Sequence, residues 1–225
     1  MTCPSRLCDS LAMLDKTSQM RRAIANDWLV PPYYEQAENW LDPFWGEETH
    51  FRRWFEMLDL TRVVELACGH GRHAAQCIGR VGEITLVDVL QTNIDACRER
   101  FGADPRVHYL VNNGNDLPGL ESGAYSALFS YDAMLHFELL DVLDYLRETA
   151  RVLRPGGRAL LHVSNNLENP GGHYHQNRLW RNFGSLDVVR HVADRMGLRT
   201  LEHTTIDWEG QEAIDGLLLV EKADQ

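Results

Sequence analysis

Nowhere in the chain do about 18 apolar residues follow one another, the length a helix needs to cross a bilayer, and the N-terminal stretch lacks an apolar run of secretory length. A soluble, cytoplasmic protein is expected. Paired cysteines are also missing. Cys3, Cys8, Cys68, Cys77 and Cys97 are odd in number and show no CxxC spacing, which argues for reduced thiols and against a zinc site. Basic charge is scarce, with 22 Lys and Arg against 33 Asp and Glu, a net charge of −11. Phosphate backbones and anionic membranes select for the opposite sign. The expected partner is therefore a small-molecule substrate, not nucleic acid or membrane, and whether chains pair is left open. Repeats and low-complexity tracts are absent, which excludes solenoids and disordered scaffolds.

What is present is enough apolar residue, 44% of 225 positions, to bury one sizeable core. The first sixty residues hold Trp28, Trp40, Trp45 and Trp54, the Pro31-Pro32 break and short helical patterns such as "HFRRWFEMLDL". They predict a helical cover over 1–60, followed by the main domain over 61–225. From Arg62 onward, short apolar runs alternate with amphipathic stretches, the pattern of a parallel sheet covered by helices. The runs "RVVEL", "EITLVD", "RVHYLV", "YSALFSY" and "RALLHVS" read as strands. Between the last two, Leu139, Leu143, Leu146, Ala150 and Leu153 recur at helical spacing until Pro155-Gly156-Gly157 stops the helix. A long polar and aromatic loop over 164–184 precedes a helix from about Ser185 to Met196, and loops of that length in compact domains are more often functional than idle. The chain closes with two strand-like runs around Gly210, an antiparallel hairpin.

In an open α/β sheet, ligands lie beyond the carboxyl ends of the strands where strand order reverses. "ELACGHGRH" occupies that place after the first strand, with Gly69 and Gly71 permitting close backbone approach. Asp88 ends the second strand, where a carboxylate accepts hydrogen bonds from ribose hydroxyls. A pyrophosphate at this turn would meet Glu65, and like charges there are unfavourable; a cationic or zwitterionic group suits the acid better.

"VVELACGHGRH", "LVDV", "NNGNDLPGL", "SALFSYDAMLHF" and "VLRPGGRALLHVS" stand in an order and spacing that resembles the class I methyltransferases that use S-adenosylmethionine, over roughly Arg62 to Gln225. The resemblance implies a Rossmann-like α/β fold, a seven-stranded sheet with helices on both faces, and S-adenosyl-L-methionine as cofactor with S-adenosyl-L-homocysteine as product. It implies that Glu65, Ala67, Gly69, Gly71 and Arg72 hold the methionine moiety, and that Asp88 with Val89 binds the ribose. Asn113, Gly114 and Asn115 would contact the adenine, and Tyr131 to His136 would line the methyl end. Ala67 stands where the family commonly has its first glycine, and an asparagine where it often has an aspartate in the third segment.

Methyl transfer needs aligned reacting atoms and excluded water, which the aromatic N-terminal segment and the loop after strand five are placed to provide. His136, His162, His173 and His175 are spaced through these regions, and His136 is the candidate general base. A metal held by "HYH" with His162 is not expected, since the spacing is poor. Arg178, Arg181 and Arg190 are candidates for binding an anionic substrate bidentately, with Tyr33 and Tyr34 adding hydroxyl contacts. "HVSNN", "NPGG", "RLWRNFGS" and "YYEQAENWLDPFW" further resemble a set of bacterial natural-product methyltransferases that includes phosphonate O-methyltransferases. That likeness implies an already ionised oxygen as nucleophile, fixed by Tyr34, Arg178 and Arg190, with His136 orienting it. The expected reaction is O-methylation of a polar or anionic metabolite such as a phosphonate. The alternatives are hydroxyl or amine methylation in a sugar or antibiotic scaffold with His136 as base, a nicotinamide-dependent oxidoreductase, which lacks its third glycine here, and a non-catalytic binding module.

Overall fold

The computed structural model describes residues 17–29 and 33–224. Pro31, Pro32, Cys3 and Cys8 lie outside them. Seven strands, β1 (Arg62–Leu66), β2 (Glu83–Asp88), β3 (Val107–Val111), β4 (Tyr125–Ser130), β5 (Leu153–Ser164), β6 (Leu198–Trp208) and β7 (Gln211–Lys222), form one sheet in the order β3-β2-β1-β4-β5-β7-β6. Strands β1 to β5 run parallel, and β7 is antiparallel to both β5 and β6. The order reverses between β1 and β4, so the loops after these two strands flank the place where such sheets bind ligands.

Strand alternation divides the core between two faces. Val63, Ile84, Leu217 and Leu219 face one cluster, and Val64, Val87, Leu218 and Val220 the other. The second face is covered by α7 (Leu139–Val152) and α8 (Leu186–Arg195). The buried stripe of α7 is Val142, Tyr145, Leu146, Thr149 and Val152, while the Leu139, Leu143 and Ala150 of the sequence pattern are only partly buried beside it. This rotation carries the Tyr145 hydroxyl to the Asn112 side chain, 2.8 Å away at the end of β3. Helix α7 stops at Val152, because Leu153 is already extended and paired with Tyr125. Pro155-Gly156-Gly157 therefore forms a bulge inside β5, not a break before it, and the register resumes at Arg158 opposite Ala127.

The helix over 17–27, here α1, is followed by α2 (Tyr33–Ala37), α3 (Asp42–Trp45) and α4 (His50–Phe55). Thr49 caps α4, its side chain accepting from the Arg52 N–H at 3.1 Å. Phe44, Phe51, Trp54 and Phe55 are buried in the first core face together with Ile84 and Phe129. Short helices α5 (Ala74–Cys77) and α6 (Gln91–Phe101) complete that side.

The long loop over 164–184 is tied down at its base. Asn166 bridges Phe183, and Ser164 Oγ donates to the Asn182 carbonyl at 2.6 Å. Arg181 turns inward and binds Asp215 of β7 with two bonds, Nε to Oδ1 at 2.9 Å and Nη2 to Oδ2 at 2.7 Å. Asp215 is fully buried. Burial alone would raise its pKa, but the closeness of His162 and the guanidinium of Arg181 hold it down to about 2. Removing one partner strands the other charge in the interior, which costs roughly 3–5 kcal/mol. Asp215→Ala should lose that much stability in urea unfolding at neutral pH. The depressed value makes the contribution complete above the unfolded carboxylate range near pH ~4 and lost as pH falls toward 2, so the difference between wild type and variant should shrink on acidification.

Candidate functional site

The turn leaving β1 is built on left-handed backbone. Ala67 (φ 56°), Gly69 (φ 52°) and Gly71 (φ 74°) all lie in the region that favours glycine. Alanine at the first of these positions carries strain of about 1–2 kcal/mol. The turn is held by Asp88 at the end of β2: Oδ2 accepts from the Gly69 N–H at 2.9 Å, and Oδ1 from the Leu90 N–H at 2.9 Å and Asn93 Nδ2 at 3.1 Å. Burial raises the Asp88 pKa, and these donors offset only part of that rise. Glu65 sits behind the turn, 1% exposed, with Oε2 lacking a hydrogen-bond partner. Burial pushes its carboxyl up to about 8, with Arg72 pulling the other way.

A cleft of about 1010 Å³, its open mouth included, runs from this turn between the ends of β1, β2 and β4 under α1 and α2. Ala67, Gly69, Arg72, Asp88, Val89, Gly114, Tyr131, His136, Tyr33 and Tyr34 line it. Asn113 and Asn115 point elsewhere, their Nδ2 groups donating to Asp116 at 2.8 Å and Asp144 at 3.1 Å. Asn112 lines the cleft in their stead, one residue before the expected segment. Over Gly114 lies Arg21 of α1, which donates from Nε to Asp141 Oδ2 at 3.0 Å and from Nη1 to the Asn113 carbonyl at 3.3 Å. The Arg21–Asp141 pair thus roofs this end of the cleft. Tyr34 covers the turn: its ring stacks on His70 at 4.0 Å and its hydroxyl accepts from Asn93 at 2.9 Å. Tyr34 is therefore beside Asp88, not among the loop arginines.

At the other end, Asp132 follows β4 with φ 56°, a strained conformation of the kind that gathers at functional sites. Its N–H donates to His162 Nδ1 at 3.2 Å, and its carboxylate pairs with Arg72 at 2.8 Å. His162 is 1% exposed, stacks on Tyr131 at 4.6 Å and faces Asp215, so it supports this end from behind. His136 lies in the wall of the cleft, its Nδ1 bonded to the Trp180 carbonyl at 2.8 Å and its ring 4.6 Å from that of Trp28. A carbonyl can only accept, so Nδ1 carries the proton and Nε2 is the ring's acceptor. Burial lowers the His136 pKa to about 4, against the Trp180 carbonyl, which raises it.

The three arginines of the loop region do not converge. Arg178 is exposed, 3.8 Å from Glu168 and bonded to Gln211; Arg190 pairs with Asp187 on α8 at 3.1 Å; Arg181 is spent on Asp215. None of them lines the cleft. The loop reaches the site instead through the Trp180 carbonyl and through Asp27 at the end of α1, whose carboxylate binds the Tyr174 hydroxyl and His175 Nε2, the latter at 2.9 Å. Trp28, Arg21 and Asp141 also line the cleft, and the sequence alone does not single them out for it. Trp28 follows α1, Arg21 lies midway along it and Asp141 is in the first turn of α7, so they meet only once these elements pack together.

Residues 63–157 match the family model described as "Methyltransferase domain". Methyltransferase GfsG of Streptomyces halstedii is 26% identical over 57% of this chain and 55% of its own length. A tRNA U34 carboxymethyltransferase of Klebsiella pneumoniae is 27% identical over 85% of this chain and 63% of its own length. The chain thus spans less than two thirds of either curated relative. A geranyl diphosphate methyltransferase solved in complex with S-adenosylmethionine superposes with a TM-score of 0.58 at 17% identity, covering 72% of this chain and 78% of that one.

The cleft presents hydrogen-bond acceptors at Asp88 and at the buried, unpartnered Asn93 Oδ1, groups of the kind that bind the hydroxyls of a ribose. In the cofactor-free protein the raised Glu65 value makes its stability contribution complete below the unfolded carboxylate range, about pH 4, and lost as pH rises through 8. Glu65→Gln should remove that slope, so the fall in melting temperature between pH 5 and pH 8 should be smaller in the variant; an unchanged fall would show that Glu65 is ionised throughout.

Proposed function

We propose that this chain, whose domain and fold are those of a class I methyltransferase with S-adenosylmethionine as cofactor, methylates a hydroxyl oxygen of a small polar metabolite, with His136 taking the acceptor's proton. The observation that carries the reading is the state of His136: in the cleft wall, neutral, with Nδ1 held by the Trp180 carbonyl and Nε2 left to accept. The cofactor supplies an electrophilic methyl group on a positively charged sulfur.

The protein's own part is to place and dry the acceptor. Trp28 and Tyr33, 4.6 Å apart, wall the cleft next to His136, so water is kept from the reacting oxygen. Their rings suit an acceptor with apolar as well as polar surface. As the hydroxyl loses its proton to Nε2, the Trp180 carbonyl on the far nitrogen stabilises the imidazolium that forms. Asp132, fixed by Arg72 and His162, gives the same end of the cleft a hydrogen-bond acceptor. The net charge of −11 supports a small molecule over a polynucleotide, although one relative bears the name of a tRNA-modifying enzyme.

The anion reading, with a phosphonate as its sharpest form, needs Arg178 and Arg190 at the acceptor, and nothing in their placement favours it. The two readings part in the behaviour of the variants and in the acceptor screen. His136→Gln should lower kcat by about 10²–10⁴ with little change in cofactor affinity, whereas Arg178→Ala and Arg190→Ala should keep near wild-type turnover. Since His136 is neutral above pH ~4, kcat should be flat between pH 5 and 8. In a screen with methyl-labelled cofactor, label should go to neutral hydroxy compounds; label confined to phosphonates or carboxylates, lost in Arg178→Ala, would overturn the proposal.

A further inference from the structure

Two buried thiols stand on either side of the turn that carries the cofactor residues. Cys68 lies within the turn and lines the cleft, and Cys97 projects from α6; their sulfurs are 3.8 Å apart. Cys97 Sγ also donates to the Gly69 carbonyl at 3.2 Å. On α6, Cys97 follows Asn93 by four residues, so both occupy one helix face. Asn93 binds Asp88 and Tyr34, and the Cys97 face therefore touches both the turn and the acid that holds it. Cys77, the third thiol among the described residues, bonds only to the Ala74 carbonyl.

We propose that Cys68 and Cys97 form an oxidative modification site, in which a peroxide converts the two thiols into a disulfide that locks the turn after β1 onto α6 and weakens cofactor binding. The gating half of this inference rests on the reading of the cleft as the cofactor site. The chemistry balances with one peroxide. Cys68 sulfur attacks a peroxide oxygen, the O–O bond breaks, and a sulfenic acid forms with release of one water. Cys97 sulfur then attacks the Cys68 sulfur, the S–O bond breaks, and its oxygen leaves as a second water with the Cys97 proton. The thiols lose two electrons and the peroxide gains them.

Cys68 is reached through the open cleft, so a peroxide has access to it when the cofactor is absent and is excluded when the cofactor is bound. Closing the S–S distance from 3.8 Å to about 2.05 Å draws the turn toward α6. It also removes Cys97 from the Gly69 carbonyl, beside the amide that Asp88 holds. Burial keeps the Cys68 thiol protonated at neutral pH, so the reaction is slow there and quickens with rising pH.

The test uses the full chain treated with hydrogen peroxide, with and without S-adenosylhomocysteine. It is then alkylated and digested with trypsin, which places Cys68 on peptide 63–72, Cys77 on 73–80 and Cys97 on 81–98. The expected product is peptide 63–72 linked to 81–98 with the loss of two hydrogens, suppressed by S-adenosylhomocysteine and reversed by dithiothreitol. Oxidised protein should bind S-adenosylhomocysteine at least about tenfold more weakly by calorimetry. Cys97→Ser should give no linked peptide and stop at the Cys68 sulfenic acid, trapped by dimedone on peptide 63–72; if that variant does not fold, the peptide linkage in the wild type still decides. Cys68 and Cys97 both recovered alkylated, or linked with affinity unchanged, would overturn the inference. Failure of the cofactor reading looks different: reduced protein that binds no adenosyl compound, whatever the peptides show.

Discussion

The site is organised by one carboxylate. Asp88 accepts from the Gly69 N–H, the Leu90 N–H and Asn93 Nδ2, and so joins the turn after β1, the end of β2 and the start of α6 through two oxygens. A left-handed turn over Ala67, Gly69 and Gly71 is not a conformation the chain would keep unaided. Without these bonds the buried acid would lose its donors and the strained turn its anchor. The rest of the cleft is arranged around what this acid fixes: Tyr34 lies over the turn, Arg72 leaves it to reach Asp132, and α6 presents Asn93 and Cys97 to its underside.

A second carboxylate performs a comparable task at the opposite end. Asp215 binds Arg181 and faces His162, and His162 accepts from the N–H of the strained Asp132. Because Arg181 lies next to Trp180, the same contact that anchors the long loop also sets the carbonyl that orients His136. The two ends differ in character: polar donors crowd the Asp88 end, and aromatic rings dominate around His136.

Much of this fold was legible in the sequence. "RVVEL" and "EITLVD" coincide with β1 and β2, since a buried strand bounded by turn residues leaves little latitude. The β5 boundary was not legible, because Pro155-Gly156-Gly157 reads as a stop while a bulge absorbs it within the strand. In the site, local spacing pointed to the turn after β1 and to Asp88, which the structure joins through the Gly69 N–H at 2.9 Å. Arg178 and Arg190 illustrate the opposite case: charge and loop position suggested convergence, yet each finds an acid close by, Glu168 or Asp187. Arg21 and Asp141 are 120 positions apart, and no local pattern announces a pair at that separation.

Asp27 holds the loop from the far side, binding Tyr174 and His175 at the end of α1. The ring of Trp28, next along the chain, meets that of Trp180 at 5.4 Å. The end of the roofing helix and the loop over 164–184 are therefore joined by two neighbouring contacts, so a displacement of that helix is transmitted to the segment whose carbonyl orients His136.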